Sequence, residues 1–157
     1  MAGMKLSKLL DRCGIVAERH GAGGDPTVID IVYDSRKVTP GALYVAIPGT
    51  RVDGDSFIGT AIAGGAVAVL SERPHPGCPV PCMRAEGLRG ILGLLGSTLW
   101  EVPVNTLQTV GITGTNGKTT VAHLFEGLFA SVKKQAGVWM FGTIDYHLGD
   151  ARRAAPR

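Results

Sequence analysis

A short glycine-rich stretch is the part of this sequence whose residue types and spacing are best suited to chemistry. An apolar run of strand length, Leu107–Ile112, precedes it, and apolar residues at helical spacing follow it from Val121 to Val132. A turn from strand to helix gathers main-chain N–H groups at the positive end of the helix dipole, where phosphate binds well. We therefore predict a loop that binds a nucleoside triphosphate through Gly114, Thr115, Asn116, Gly117, Lys118, Thr119 and Thr120.

The lysine and the threonine after it have separate expected roles in that loop. Lys118 supplies a full positive charge to the phosphates, and the Thr119 hydroxyl is placed to bind a magnesium ion that bridges them. The spacing departs from the general pattern G-x-x-x-x-G-K-[ST], because Ile112 stands where the first glycine belongs. A glycine-rich turn with a merely solvated lysine is the alternative, but the flanking strand and helix patterns favour phosphate binding.

The overall composition is that of a soluble globular protein. Of the 157 residues, 45% are hydrophobic and 18% are charged, and the net charge is only +3. Nucleic-acid binding is not expected, because the sequence has no basic stripe with interleaved aromatic residues. No stretch near the start is long and apolar enough to span a bilayer, and no targeting segment stands out, so no membrane association is expected.

The cysteines indicate a reducing compartment. Cys13, Cys78 and Cys82 are an odd number with no secretory signal ahead of them, which predicts the cytoplasm. His75 lies close to the last two and could suggest a metal site. However, the surrounding segment is rich in proline and no second pair of ligands stands elsewhere, so we interpret it as a loop with incidental thiols.

Up to residue 105, alternating helix and strand patterns predict a small N-terminal α/β domain. The pattern predicts helices at the start of 5–16, over 55–65 and over 88–100. It predicts strands at 28–33, 43–47 and 66–70, and a short edge strand at 80–83. A helix followed by a continuously apolar strand is typical of a sheet that is covered on both faces.

Residues 106–157 predict the start of a second α/β domain, a P-loop nucleotide-binding fold. The expected order is strand, phosphate loop, a helix from 117 to about 134 and a strand at 138–141, which together make one right-handed βαβ unit. No element is expected from 145 onward. One such unit cannot cover a parallel sheet on both faces, so the sequence predicts an incomplete domain.

Four stretches of the chain together match the pattern of a known family. They are the phosphate loop 114–120, D-S-R-K-V-x-P-G-x-L-x-V-A at 34–46, G-x-x-x-D-G-x-x-F-I-x-x-A-x-x-x-G-A at 49–66, and F-G-T-I at 141–144. In this combination the sequence resembles the Mur ligases, which add amino acids to the UDP-MurNAc peptide precursor of peptidoglycan.

The resemblance implies an ATP-dependent amide ligase with ATP and Mg²⁺ as cofactors, acting as a cytoplasmic monomer. In this family ATP phosphorylates a substrate carboxylate and the incoming amine displaces the phosphate, so Lys118 would be catalytic by holding the β- and γ-phosphates. The loop is closer to that of the MurE branch, which adds the third residue, than to the MurF branch, which adds the terminal dipeptide. The added amino acid, meso-diaminopimelate or lysine, is left open.

The resemblance also implies substrate contacts in two short segments. Tyr33 and Ser35 would contact the uridine or its diphosphate, and Thr50, Arg51 and Val52 stand where relatives contact the uridine–sugar end. Arg36 could pair with phosphate or with the neighbouring Asp34, and both interpretations remain open.

Two alternatives to a ligase remain. The chain ends at Arg157, before the part in which relatives bind the amino acid, so the chain by itself is expected to be inactive. A non-catalytic module that holds a UDP-linked ligand is the main alternative. A small P-loop kinase is less favoured, because such kinases place the loop near the start of the chain.

Overall fold

The computed structural model describes residues 3–49, 53–102, 106–132, 138–148 and 151–155. The chain divides into two compact units, Met1–Leu107 and Gln108–Arg157. The assignment of separate functions to 1–105 and 106–157 stays a prediction.

Among its described residues, the first unit has seven short strands and three α-helices. The strands are β1 Met4–Lys5, β2 Glu18–His20, β3 Thr27–Val28, β4 Asp30–Val32, β5 Ala42–Ala46, β6 Ala68–Ser71 and β7 Cys82–Arg84. The helices are α1 Leu6–Arg12, α2 Ile58–Ala63 and α3 Leu88–Leu99, and two 3-10 helices span Ser35–Lys37 and Gly54–Phe57.

The strands form one main sheet in the order β2-β7-β6-β5-β4. Strands β4, β5, β6 and β7 run parallel, and β2 pairs antiparallel with β7. A separate antiparallel pair joins β1 to β3. The fold class is therefore α/β with a mostly parallel sheet, as predicted.

Strand β5 carries the core on both of its faces, and all five of its residues are buried. Because side chains alternate along a strand, Leu43 and Val45 pack with leucines of α1 and α3, whereas Tyr44 and Ala46 pack with α2 on the opposite face. The prediction of a sheet covered on both faces is confirmed.

Two strand predictions for this unit need correction, and strand β2 was missed. The predicted strand 28–33 is interrupted at Ile29, whose N–H donates to the Gly41 carbonyl, so it forms the end of β3 and then β4. The predicted edge strand at 80–83 is not at the edge, because β2 covers the outer side of β7. Strand β2 was not predicted at all, since Glu18-Arg19-His20 lacks the apolar alternation of a half-buried strand.

In the part of the second unit that the structure describes, one helix and an antiparallel sheet are present. Helix α4 spans Lys118–Val132, and the strands are β8 Trp139–Phe141, β9 Asp145–Leu148 and β10 Ala151–Ala154. The helix and the strand after it are confirmed. The order β10-β9-β8 pairs antiparallel throughout, so β9 and β10 lie where no element was expected.

The predicted βαβ unit is wrong for this chain. Residues 107–112 form no strand, and β8 pairs with β9 instead of with them. A parallel strand is stable only beside other strands that satisfy its backbone, and within the described residues none pairs with 107–112. Antiparallel pairing with β9 satisfies the backbone hydrogen bonds of β8 instead.

Helix α4 has the predicted apolar spacing but buries no side chain. Leu124 is 68% exposed, and Val121, Phe125, Leu128 and Val132 are exposed as well. Within the described ranges, no helix has both the length and the hydropathy that a membrane-spanning segment needs.

The two leucine-rich helices of the first unit give a direct test of its core. Leu9 in α1 is fully buried, whereas Leu94 in α3 is 45% exposed. We expect Leu9→Ala to lower the free energy of unfolding by about 2–5 kcal/mol, because it leaves a cavity. Leu94→Ala should cost less than about 1 kcal/mol. Urea denaturation followed by circular dichroism measures both, and equal losses would contradict the described packing.

Candidate functional site

The loops that follow β4, β5 and β6 meet at one edge of the main sheet. These strands are parallel neighbours, so their carboxyl ends point the same way. Ligands of open α/β sheets bind outside the carboxyl ends of the strands. Tyr33 and Ser35 follow β4 directly, so the structure places both predicted substrate residues at this edge.

The predicted substrate residues differ in what the structure says of them. Tyr33 is 62% exposed, and the half-buried Ser35 opens the 3-10 helix after β4. Thr50, Arg51 and Val52 lie outside the described residues, although Gly49 and Asp53 on either side of them follow β5. All five roles stay predictions.

Arg36 is paired with Asp34. Its Nε donates to Asp34 Oδ1 at 2.9 Å and an Nη donates to Oδ2 at 2.8 Å, so the two planar groups meet through two bonds. The Arg36 main-chain N–H also donates to Oδ1, at 3.1 Å. The hydrogen bonds from Arg36 hold the pKa of Asp34 at about 2, well below its usual value. Of the two interpretations left open by the sequence, the ion pair is the one that the structure contains.

A polar network that the sequence did not indicate joins the loops after β5 and β6. The buried Ser71 hydroxyl donates to Asp55 Oδ1 at 2.7 Å and lies 3.2 Å from His75 Nε2. Arg73 makes ion pairs with both Asp53 and Asp55, and the hydrogen bond from its guanidinium lowers the pKa of Asp53. The signal in the sequence is a pair of acids after one strand with an arginine and a histidine after the next.

This network is not a catalytic triad. His75 Nε2 faces both Ser71 and Asp55, the latter at 3.5 Å, so the imidazole does not relay between the hydroxyl and the carboxylate through its two nitrogens. It fixes the loop instead, and Asp53 at one end adjoins the predicted substrate stretch 50–52.

The phosphate loop has the backbone that its glycines predict. Gly114 has φ of 149° and Gly117 has φ of 76°, a region that favours glycine because it has no Cβ. Helix α4 begins at Lys118, and Val121 N–H donates to the Gly117 carbonyl at 2.9 Å. The loop therefore ends where a helix presents its first N–H groups, which is the geometry that phosphate binding needs.

Lys118 folds back over its own loop. Its ammonium donates to the Gly114 carbonyl at 2.5 Å and lies 3.4 Å from the Thr115 carbonyl. Thr119 and Thr120 lie exposed in the first turn of the helix, as does the lysine itself. The donor set, one ammonium with two hydroxyls at a helix start, fits a triphosphate and a hard cation such as Mg²⁺. The roles of these residues stay predictions.

The proline-rich segment shows no sign of a metal centre. Cys78 and Cys82 are buried free thiols, and burial raises the pKa of Cys82 to about 12. His75 turns toward Ser71, and these side chains do not gather as a cluster in the described part of the chain. In the second unit, by contrast, His123, Glu126 and His147 do form such a cluster.

Most of this chain is similar in sequence to known proteins. Residues 28–92 match the family described as "Mur ligase family, catalytic domain", a range that lies in the first unit and ends before the phosphate loop. The chain is similar to UDP-N-acetylmuramoyl-L-alanyl-D-glutamate–2,6-diaminopimelate ligase of Geobacillus thermodenitrificans, at 37% identity over 94% of this chain and 29% of that protein. The protein of the same name from Solibacter usitatus is 45% identical over 77% of this chain and 24% of its own length.

Solved structures of Mur ligases are similar to this chain as well. A UDP-N-acetylmuramoyl-L-alanyl-D-glutamate–2,6-diaminopimelate ligase matches with a TM-score of 0.61 and 27% identity, over 83% of this chain and 26% of that one. The MurF ligase from Thermotoga maritima in complex with ADP matches with a TM-score of 0.53 and 31% identity, over 69% and 24%. MurF from Acinetobacter baumannii, at 22% identity over 83% of this chain and 28% of that one, shares the fold with a TM-score of 0.65.

The chain spans less than a third of the length of these curated relatives. The similarity nevertheless extends from the main sheet, matched by the family pattern, across most of the chain. These matches show that residues 28–92 form a Mur ligase family domain and that most of the chain is similar to part of the ligases of this family.

Proposed function

We propose that this chain is part of an ATP-dependent ligase that adds the third amino acid to UDP-MurNAc-L-Ala-D-Glu in peptidoglycan synthesis. The observation that carries the proposal is that one chain holds both a glycine-rich loop with a lysine at the start of a helix and carboxyl-edge loops with the family motif. Curated relatives named for this activity support it, at 34–45% identity in the examples from Geobacillus kaustophilus and Solibacter usitatus. A cytoplasmic location and a monomeric state belong to the same proposal.

In the first unit, the loops at the carboxyl edge bind the UDP end of the substrate. Tyr33 is exposed enough to lie against a uracil ring, and the Ser35 hydroxyl donates to a carbonyl or diphosphate oxygen. Thr50, Arg51 and Val52 complete the contacts from the loop after β5. Arg36 acts indirectly, because its guanidinium is bound to Asp34 and thereby fixes the short helix that carries Ser35.

In the second unit, the phosphate loop binds ATP. Lys118 exchanges its carbonyl partners for the β- and γ-phosphates and stabilises the charge that develops on the transferred group. The Thr119 hydroxyl binds Mg²⁺, and Gly114 to Gly117 and Thr120 surround the phosphates with N–H and hydroxyl donors. ATP supplies the phosphoryl group that activates the substrate carboxylate toward an amine.

A non-catalytic UDP-binding module is the second candidate. The observation in its favour is that the first unit has a packed core on both faces of its sheet, whereas α4 in the second unit buries no side chain. The MurF activity is less well supported, because curated relatives at 34–45% identity are named as ligases that add 2,6-diaminopimelate, the third residue.

Binding of the UDP-linked dipeptide tests the first unit. We expect Ser35→Ala to weaken it by about five- to tenfold, the effect of about 1 kcal/mol for one lost hydrogen bond. Calorimetry with UDP-MurNAc-L-Ala-D-Glu measures this affinity. Ser97→Ala is the matched control, since the Ser97 hydroxyl donates to the Leu94 carbonyl within α3. Equal effects of the two substitutions would contradict the assignment.

Catalysis tests the phosphate loop. In a polypeptide continued through the reading frame beyond Arg157, we expect Lys118→Ala to lower kcat by about 100-fold or more, because the transferred charge loses its cation. Release of ADP that depends on the UDP precursor measures the rate. Lys8→Ala, an exposed lysine of α1, is the control. If no polypeptide releases ADP while the precursor still binds, the binding module replaces the ligase.

The Asp34–Arg36 pair makes a separate prediction. Arg36→Gln should raise the pKa of Asp34 from about 2 toward 3.8, because the main hydrogen bonds that stabilise the carboxylate are lost. The pair stabilises the folded state at pH values above the usual pKa of an aspartate, and this contribution disappears as the pH falls toward 2. A carbon-13 NMR titration of the carboxyl group measures the shift. Lys37→Gln should change it much less, and an unchanged pKa in Arg36→Gln would refute the described pairing.

A further inference from the structure

Three side chains that commonly bind metals converge between α4 and β9. His123 and Glu126 lie three residues apart on α4, a spacing that puts both on one side of a helix, and His147 comes from β9. One nitrogen or oxygen atom from each lies within 4.8 Å of the others. His147 Nδ1 is 2.6 Å from Glu126 Oε1, and His123 Nδ1 is 3.5 Å from Glu126 Oε2.

A fourth residue orients the cluster. Asp145 Oδ2 lies 2.9 Å from Nε2 of His147, whose side chain is only 1% exposed. A carboxylate at this position accepts the Nε2 proton, which leaves Nδ1 as the nitrogen that faces Glu126 and His123. A carboxylate behind a histidine is the usual outer partner of a metal ligand, because it fixes both the ring and its protonation. The hydrogen bond to Asp145 therefore fixes the ring of His147 in the orientation that a metal ligand needs.

We propose that His123, Glu126 and His147 bind one divalent cation of the zinc class, with Asp145 as a positioning residue. Two imidazoles and one carboxylate are a ligand set that suits zinc, whereas Mg²⁺ prefers oxygen ligands alone. The site is therefore distinct in chemistry from the one proposed at Thr119. His123 is 43% exposed, which gives the cation a path from solvent and room for water as a further ligand.

For the two ligand pairs that involve Glu126, the distances need only a small adjustment. Zinc ligands at about 2.0–2.2 Å from the metal stand roughly 3–3.5 Å from one another. The separation of His123 from Glu126 already fits, and the closer pair, His147 and Glu126, must part by less than about 1 Å. Glu126 is a flexible side chain that is still partly exposed, so rotation about its side-chain bonds supplies this movement.

The cation would join α4 to the β8–β9 hairpin. Because α4 buries no side chain, its apolar face contributes little to holding it in the described residues of this unit. Where a small unit lacks core, bound metal supplies folding free energy directly. We therefore assign the site a structural role, and this inference does not depend on the proposed ligase activity.

Metal titration of the 157-residue chain tests the proposal. The chain is stripped with EDTA, dialysed, and titrated with Zn²⁺ by calorimetry and with Co²⁺ by absorption spectroscopy. We expect one equivalent to bind and to raise Tm, and His123→Gln and Glu126→Gln each to weaken binding by tenfold or more. His20→Gln and His75→Gln, at histidines of the first unit, are the matched controls and should bind as the parent does.

The choice of variants keeps the test informative. Because His147 is buried, its substitution would also disturb packing. The exposed His123 and the isosteric Glu126→Gln therefore carry the conclusion, with circular dichroism to verify folding. Absence of saturable binding, or binding that His123→Gln leaves unchanged, would overturn the proposal and leave the cluster as a proton-bridged ion pair. Thiolate-to-cobalt charge-transfer bands would also overturn it, because they would place the metal on the cysteines.

Discussion

Parallel pairing of β5 between β4 and β6 is the constraint on which the first unit depends. A strand in this position has its backbone hydrogen bonds satisfied on both sides and its side chains buried on both faces, so apolar residues suit it best. The same pairing aligns the carboxyl ends of neighbouring strands. A requirement of the core, that three parallel strands lie side by side, thus creates the edge at which polar loops can meet a ligand.

Those loops are ordered by charge pairs instead of by apolar packing. Asp34 and Asp53 each begin a 3-10 helix and each accept the main-chain N–H of the second residue after them, at 3.1 Å. Each is also paired with an arginine, Arg36 within its own loop and Arg73 from the next loop. The repeated arrangement fixes backbone next to Ser35 on one strand end and next to 50–52 on the other, while leaving surface free for a ligand.

Secondary structure could be predicted most reliably from the apolar runs of the sequence. Residues 43–47, 66–70 and 88–100 are continuously apolar or periodic, and each forms the predicted element within two residues. Strand β2 was missed because polar residues on an edge strand carry no periodic signal. Residues 107–112 were wrongly predicted as a strand, since apolar composition does not supply the neighbour that a parallel strand needs.

The hairpin of β9 and β10 could have been anticipated in part. Gly149-Asp150 is a dipeptide typical of hairpins, although it lies outside the described residues. For the candidate sites, the phosphate loop was readable because its residues are contiguous. Only the structure shows that Arg36 pairs with Asp34. The contact of His147 with Glu126 of α4 depends on tertiary packing, which sequence spacing does not reveal.

The contact between the Lys118 ammonium and the Gly114 carbonyl sets a threshold of charge for whatever approaches the loop. A weakly anionic ligand offers the ammonium little more than the oxygen that it already has. A polyanion with several ionised oxygens outcompetes that oxygen, because charge-assisted hydrogen bonds are roughly twice as strong as neutral ones. If the loop binds phosphates as proposed, it would therefore favour ligands with several ionised oxygens over weakly anionic ones.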